Sequence, residues 1–496
     1  MKRTLSLILA MLMLVMTVVS CGKTAEEGDV TTTAATDVGT TAATEATTTA
    51  PEETVAPELR DDIPEVNFNG ESFKVLIREE TKHEMTSPEI TGDLVGDAVY
   101  NREVTVEERL GVSIDVHTIK GNWDFRDDFI THVSNSILGG DHEFDMIMTH
   151  NAYIASMTLR GLATDLNELE AIDFSKKWWC QKYVENIAID GKVYSTMGDI
   201  GVSLYEYLEA VYFNKKIAEE HKITDLYETV LAGDWTLEKM MEYVKMVGSD
   251  LNGDGKLDQN DLFGLAIDNH NCRYAATVWQ TEITSVGADG RRVFNLPNER
   301  YINCYESLYH AIYDNSQVLF DGSNTHGLKM FTNDQLLFFT ERLSRAALMK
   351  EMDSEYGIIP FPKYDANQAE YVSATRDSHS GMMVANNIVN PNLVGTTIEA
   401  LCMYGYTEVT PAYYETTLKL KYLSDETAMS MLDLIRDNVD FDFAILYTVP
   451  LSTMYSFYGE KIAAATPSVA SAVKAQAKAW QNLLNKMYTD FERIGS

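Results

Sequence analysis

Between residues 71 and 150 the apolar pattern changes period again and again. In "ESFKVLI" the residues Phe73, Val75 and Ile77 alternate with polar neighbours, as in a half-buried strand. In "DAVYNREVTVEERLG" the spacing of Val99, Val104, Val106 and Leu110 is helical, and Gly111 stands in the stop position. "VSIDVHTI" predicts a second strand, "DDFITHVSNSILGG" a second helix and "FDMIMTH" a third strand. The order is β-α-β-α-β. Such alternation implies a mainly parallel sheet with helices on both faces, binding its ligand at the carboxyl ends of the strands.

That sheet carries no nucleotide signature. No GxGxxG follows the first strand and no GxxxxGK[ST] occurs in the chain, so neither a dinucleotide nor ATP is expected. At 496 residues the chain exceeds one ordinary core and suits two lobes.

The N-terminus points to export. Lys2 and Arg3 precede an apolar and small-residue run to Ser20, which reads as a signal-peptide core rather than a spanning helix. "VVSC", Val18 to Cys21, resembles the lipobox of bacterial lipoproteins, which implies that Cys21 is lipidated and becomes the new N-terminus. Residues 1–20 are then a lipoprotein signal peptide. Residues 21–63 are rich in Thr, Ala and Glu without apolar periodicity, and are expected to form a disordered tether. About 40 such residues reach ~35 Å from a membrane surface.

The formal net charge of −35, deepened by two when Lys2 and Arg3 leave with the signal, repels nucleic acid and anionic lipid. Membrane contact is expected through the lipid anchor alone. Cys180, Cys272, Cys304 and Cys402 show no zinc spacing; they are two bridges or four buried thiols.

One loop carries a metal pattern. In "SDLNGDGKLDQNDLFG", Asp250, Asn252, Asp254, Asp258 and Asp261 fall on the ligating places of a calcium-binding EF-hand loop, and Lys256 supplies a backbone carbonyl. A helix, "LEKMMEYVKMV", enters it, but "LFGLAI" leaves it as a strand, and no second copy exists. The expectation is a structural Ca2+ staple, or else an empty acid-rich turn.

Further segments carry a resemblance. "FDMIMTHNAYIASMTLRGLATDLNEL", "IDGKVYSTMGDIGVSLYEYLEAVYFNKK" and "DWTLEKMMEYVKMV" are similar, in that order, to the landmarks of extracellular solute-binding proteins of ABC transporters, the carbohydrate-associated group resembling maltose-binding protein. "YGIIPFPKYDANQAEYVSATRDSHSGMMVANN" resembles the family's return segment. The family's Thr-Trp pair appears only as Asp234-Trp235-Thr236.

The resemblance implies an α/β, two-lobed periplasmic-binding-protein-like fold, with a hinge of crossing strands. The first lobe would be residues 64–200 plus about 378–410, and the second 201–374 plus about 411–496. The cleft would grip a sugar by aromatic faces, amides, carboxylates and guanidiniums. Candidates are Asn151 and Tyr153 after the third strand, and Asp199 and Tyr205 at the first crossing. Asn271, Arg273, Tyr274 and Trp279 follow "FGLAI", and Arg376, Asp377 and His379 stand at the return crossing.

Some of these have plainer readings. Asp199 could cap a turn, and Arg376 could pair with Asp377 to hold the crossing. Trp178, Trp179 and Trp235, and Tyr413 with Tyr414, could serve packing alone. The expected function is a lipid-anchored monomer on the outer face of the bacterial cytoplasmic membrane. It would capture a small solute, an oligosaccharide, and deliver it to ABC permease subunits, with no required cofactor. The alternatives are a secreted carbohydrate-active hydrolase, which needs two carboxyl groups about one bond, and a sensory or adhesion module without a transporter.

Overall fold

A computed structural model describes residues 56–322, 326–419, 426–452 and 454–494. The expected signal peptide, Cys21 and the tether up to residue 55 lie outside the described residues. The strands are β1 (Glu71–Arg78), β2 (Val112–Ile119), β3 (Met146–His150), β4 (Glu209–Asn214), β5 (Gly248–Ser249) and β6 (Leu262–Ile267). They continue with β7 (Thr284–Val286), β8 (Arg292–Phe294), β9 (Val318–Phe320), β10 (Leu336–Arg342), β11 (Tyr356–Ile359) and β12 (Ser380–Val384).

Two main sheets result, one for each lobe of a periplasmic-binding-protein-like fold. The first has the order β12-β3-β1-β2 and the second β11-β4-β10-β6-β5, with β9 also paired to β6. In the first, β1 runs parallel to β2 and β3, while β12 returns antiparallel, Ser380 opposite His150. The second departs from the expected parallel pattern. There β6, β9 and β10 are parallel, but β4 runs against both β10 and β11. β4 is the strand by which the chain enters the second lobe from the crossing.

The first helix shows how sequence sets position. Asp93 caps it by accepting from Gly96 N (2.8 Å), and it runs Leu94–Leu110 until Gly111 adopts φ 61°, a left-handed conformation that favours glycine. Its buried stripe holds Val99, Val106 and Leu110, but also Arg102. The Arg102 guanidinium donates to the carbonyls of Ile200 (2.7 Å) and Glu84 (2.7 Å), so a buried cation on this helix holds the start of the crossing.

Residues 57–63, expected to belong to the tether, are part of the folded body. Ile63 is buried, Asp61 pairs with Arg109 (2.6 Å), and Lys176 donates to the Pro57 carbonyl (3.0 Å) and pairs with Asp62. These pairings and one apolar anchor hold residues 57–63 on the folded body, where composition alone reads as linker.

Two crossings lie side by side. Leu208 and Thr375 form an antiparallel bridge, Glu209 N donates to Ala374 O (2.9 Å) and Arg376 N to Tyr207 O (3.1 Å). A third connection is helical, Pro391–Tyr404 passing through a π turn at Gly405–Val409 into Thr410–Lys419. At Gly405 a Cβ would lie 1.9 Å from the Asp199 carbonyl oxygen, so only glycine lets this helix touch the first crossing.

The C-terminal segment, expected wholly in the second lobe, touches both. The helix Glu426–Asp437 packs on β11, while the helix Ala470–Ile494 sets Trp480 against Phe294 of β8 (5.2 Å between rings) and Phe491 against Tyr194 of the first lobe (5.9 Å). Trp178 and Trp179 both donate indole N–H to the buried carboxylate of Glu399, at 2.8 and 3.0 Å. Trp235 donates to Pro360 O (2.9 Å) and is fully buried. Trp178 and Trp235 are packing residues, while Trp179 also lines a cavity beside Asp199. The four described cysteines are free thiols, and burial pushes the Cys180 thiol up to about 12.

Candidate functional site

The sheets bring their carboxyl ends together at a cleft. After β2, Asn122 caps a turn of 3-10 helix by accepting from Asp124 N (3.1 Å), and the turn carries Trp123 outward, 49% exposed. Arg126 lies over the indole at 4.7 Å. Behind Trp123 stand Tyr153 (6.1 Å) and His150 (5.7 Å), themselves stacked at 4.7 Å. Opposite, the helix Asn269–Val278 follows β6, opened by a capping box between Asp268 and Asn271, and presents Arg273.

Trp123, Arg126, Arg273, Thr448, Tyr455 and Glu460 line a cavity of about 440 Å³ between the lobes. Its size falls in the range of small-molecule sites. Tyr455 donates to Asp377 (2.7 Å) and is also hydrogen-bonded to Arg273. Asp377 accepts a longer bond from Tyr274 (3.4 Å), whose hydroxyl accepts from Asp377 N (3.0 Å). Burial raises the Asp377 carboxyl above its usual range.

The expected ligand residues therefore separate into three groups. Arg273 lines the cleft, and Tyr153, Tyr274 and Asp377 stand directly behind it. Asp199 and Tyr205 line another cavity, of about 550 Å³, where the first crossing meets the helix Glu426–Asp437. Asp199 accepts from Thr410 (2.5 Å) and Tyr205 (2.9 Å), so it ties three segments together rather than capping a local turn. Burial pushes its carboxyl up to about 6, against those two hydrogen bonds.

The remaining five are internal, among them His379, fully buried with its Nδ1 2.7 Å from the Arg376 carbonyl oxygen. Asn151 begins the helix after β3, its amide oxygen accepting from the Tyr183 hydroxyl. Trp279 is buried and donates to Pro362 O (3.0 Å). Arg376 does not pair with its neighbour Asp377. Instead its Nε donates to Glu209 (2.5 Å) and its Nη2 to Glu341 (2.5 Å), while Asn271 donates to the other Glu209 oxygen (2.7 Å). Burial, reinforced by the charge of Glu341, raises the Glu209 carboxyl despite the Arg376 cation. This network joins the return crossing to the second sheet.

Sequence reasoning missed Trp123, Arg126 and Tyr455. The available signal was position: "GNWDF" directly follows a strand, on the edge where such sheets bind ligands.

The calcium-like loop turns its carboxylates on itself. Asp250 accepts from Gly253 N (2.6 Å) and Gly255 N (2.7 Å), and Asn252 and Asp254 accept from the amides two residues on. Asp258 accepts from Asn260 N, and Asp261 from Leu251 N (2.9 Å) and Asp258 N (2.8 Å), which holds the Asp261 carboxyl below its usual range. Among the described residues no three His, Cys, Asp or Glu side chains are grouped to hold a metal ion. The expected set, with the Lys256 carbonyl, therefore does not converge in this conformation.

Comparison with known proteins agrees with the fold. Residues 121–388 match the profile described as bacterial extracellular solute-binding protein, and the chain belongs to that family. Its structure is similar to the sugar-binding protein MalE from Xanthomonas citri, at 11% identity and TM-score 0.59, covering 85% of this chain and 99% of that one. It is similar also to the galacto-N-biose/lacto-N-biose I-binding protein of Bifidobacterium longum in complex with lacto-N-biose (12%, 0.54, covering 86% and 98%). An ABC substrate-binding protein of Listeria monocytogenes in complex with cycloalternan aligns at 13% and 0.53, covering 85% and 98%. No curated protein matches by sequence. Among the described residues no helix is long and apolar enough to cross a membrane.

Proposed function

We propose that this protein captures an oligosaccharide between Trp123 and Arg273 and delivers it to the permease of an ABC transporter, held at the cell surface by a lipid on Cys21. The observation that carries the reading is Trp123, a half-exposed indole on one lobe facing an arginine of the other across a cavity of about 440 Å³. An aromatic face packs on the C–H surface of a pyranose, and a guanidinium bonds its hydroxyls. Because the walls belong to different lobes, a bound sugar stabilises the closed arrangement through contacts absent in the open one. The sugar-binding structures that share this fold support the choice of solute.

We propose further that the calcium-like loop is a low-affinity Ca2+ site. A hard cation would have to draw the oxygens of Asp250, Asn252 and Asp254 away from backbone amides, so binding would be weak and structural.

The test is thermal-shift screening of the full chain against an oligosaccharide panel, with product analysis of each hit. A sugar that raises the melting temperature and is recovered intact supports capture. A sugar that is cleaved supports the hydrolase reading instead.

A further inference from the structure

The hydrogen-bond bookkeeping around the cleft is uneven. Among the buried polar atoms without a hydrogen-bond partner, the hydroxyl of Tyr153 stands behind Trp123 and Nε of Arg273 lies across the cleft, with Nε of Arg78 at the end of β1 and Nδ2 of Asn151 deeper inside. Three of the four are obligate donors, and Tyr153 can donate. Buried donors of native proteins are nearly always paired, with protein, water or ligand.

The nearby carboxylates are already engaged. Glu80 accepts from Gly121 N (3.1 Å) and Asn122 N (3.2 Å), Asp377 from two tyrosine hydroxyls, and Glu460 from Ser456 (2.6 Å). Neither Arg78 nor Arg273 forms an ion pair among the described residues. Arg78 spends its Nη2 on Ser378 O (2.7 Å) and Ser380 Oγ (3.3 Å). With the amide of Asn269 oriented to donate to Gly459 O, its oxygen accepts from Arg273 Nη2 (3.1 Å). In the cavity wall Arg126 and Arg273 place two guanidinium groups against one lining carboxylate, Glu460, while Asp377 lies buried behind Arg273 and is joined to it through Tyr455.

An acceptor-rich anion answers both imbalances. A neutral sugar supplies hydroxyls that donate as readily as they accept, and it leaves the cations unpaired. A carboxylate supplies two oxygens in one plane, the geometry a guanidinium fork recognises.

Resting on the sugar-capture reading above, we propose that the solute is an acidic saccharide, whose uronate carboxylate is taken up by Arg273 while a sugar ring lies on Trp123. Arg126 holds the indole from the side, and Arg78 adds positive potential at the cleft floor.

The experiment measures binding of the full chain, by calorimetry and thermal shift, to galacturonate and glucuronate trisaccharides, their methyl esters, maltotriose and glucose 1-phosphate. The expected result is a uronate trisaccharide bound at least tenfold tighter than its own methyl ester. That preference shrinks as sodium chloride rises from about 50 to 500 mM, by screening, and Arg273→Gln abolishes it while Arg273→Lys keeps part. Should Arg273→Gln fail to fold, the comparison of acid with ester on the unaltered chain decides alone. Equal binding of acid and ester, or binding of maltotriose alone, overturns the acidic assignment and leaves sugar capture standing. Binding of glucose 1-phosphate without any uronate overturns the carboxylate. If no sugar of either kind binds, sugar capture itself fails and the acidic assignment falls with it.

Discussion

Arg291, on the turn between β7 and β8 of the second lobe, donates to both carboxylate oxygens of Asp190 on a first-lobe turn, at 2.8 and 3.3 Å. Its remaining amine donates to Glu492 of the C-terminal helix (2.9 Å), and the guanidinium lies over Tyr488 at 4.9 Å. The lobes are thus clasped at a partly exposed lip as well as joined at the crossings. An exposed ion pair contributes only ~0.2–1 kcal/mol, so the clasp biases the opening of the cleft and adds little to fold stability. Arg291→Ala is expected to move chemical denaturation by less than ~1 kcal/mol. Spin labels on the two lobes should nevertheless report longer distances in the ligand-free protein; an unchanged distribution would show that the crossings alone set the closed form.

Removing the cation of the buried network has the opposite profile. Arg376→Met leaves Glu209 buried without its counter-charge and takes from Glu341 the nearest of its cations, a change that costs ~3–5 kcal/mol. Urea unfolding followed by tryptophan fluorescence measures this. A loss below 1 kcal/mol would mean that protonation of the carboxylates compensates.

Trp123 is exposed, so its loss should spare stability and affect binding. Trp123→Ala is expected to leave the ligand-free melting temperature within about 2 °C and to weaken the best sugar ligand by about tenfold, the magnitude of one aromatic contact. Equal affinity in the variant would remove Trp123 from the site.

Acidity gives a further check. Burial raises Asp199 to about 6 and Glu399 to about 7, above the ordinary carboxyl range they regain on unfolding. Between about pH 4 and 7 the native state therefore binds more protons than the unfolded one, and stability from these groups falls as pH rises through that window. The stabilising contribution of Asp199 and Glu399 to the melting temperature should be larger at pH 5.5 than at pH 8, set against the buried His150, His270 and His379, whose lowered values act with the opposite sign. Asp199→Asn should flatten part of that slope, and an unchanged slope would exclude Asp199 as a source.

Calcium is tested by melting in millimolar Ca2+ against chelator. The proposed weak site predicts a small upward shift that Asp250→Asn with Asp254→Asn removes. No shift would leave the loop a turn held by its own amides.

What could be read from the sequence was local. The strands and helices from residue 71 to 150 announced themselves because each carries its own period and stop signal, Gly111 and Gly140 included. The site was legible only in outline. Arg376 seemed to belong with adjacent Asp377, yet its partners come from residues 209 and 341, which nothing in the spacing joins. Trp123 was passed over because an exposed aromatic in a short connection has no periodicity. Asp199 and Tyr205 were assigned to the cleft because they lie at a crossing, but a crossing has two sides, and they face the one closed by Thr410 and Arg436.

The pairing of β12 with β3 also bears on how the chain is made. His150 and its opposite, Ser380, are separated in the chain by every strand of the second sheet. At about 5–20 residues per second of synthesis, the outer edge of β3 waits ~10–50 s for its partner. During that interval it offers an unpaired strand to any other extended chain. The nascent protein is thus most prone to mispairing at the strand whose end later forms the cleft, and a chaperone that shields this edge would raise the yield of native protein.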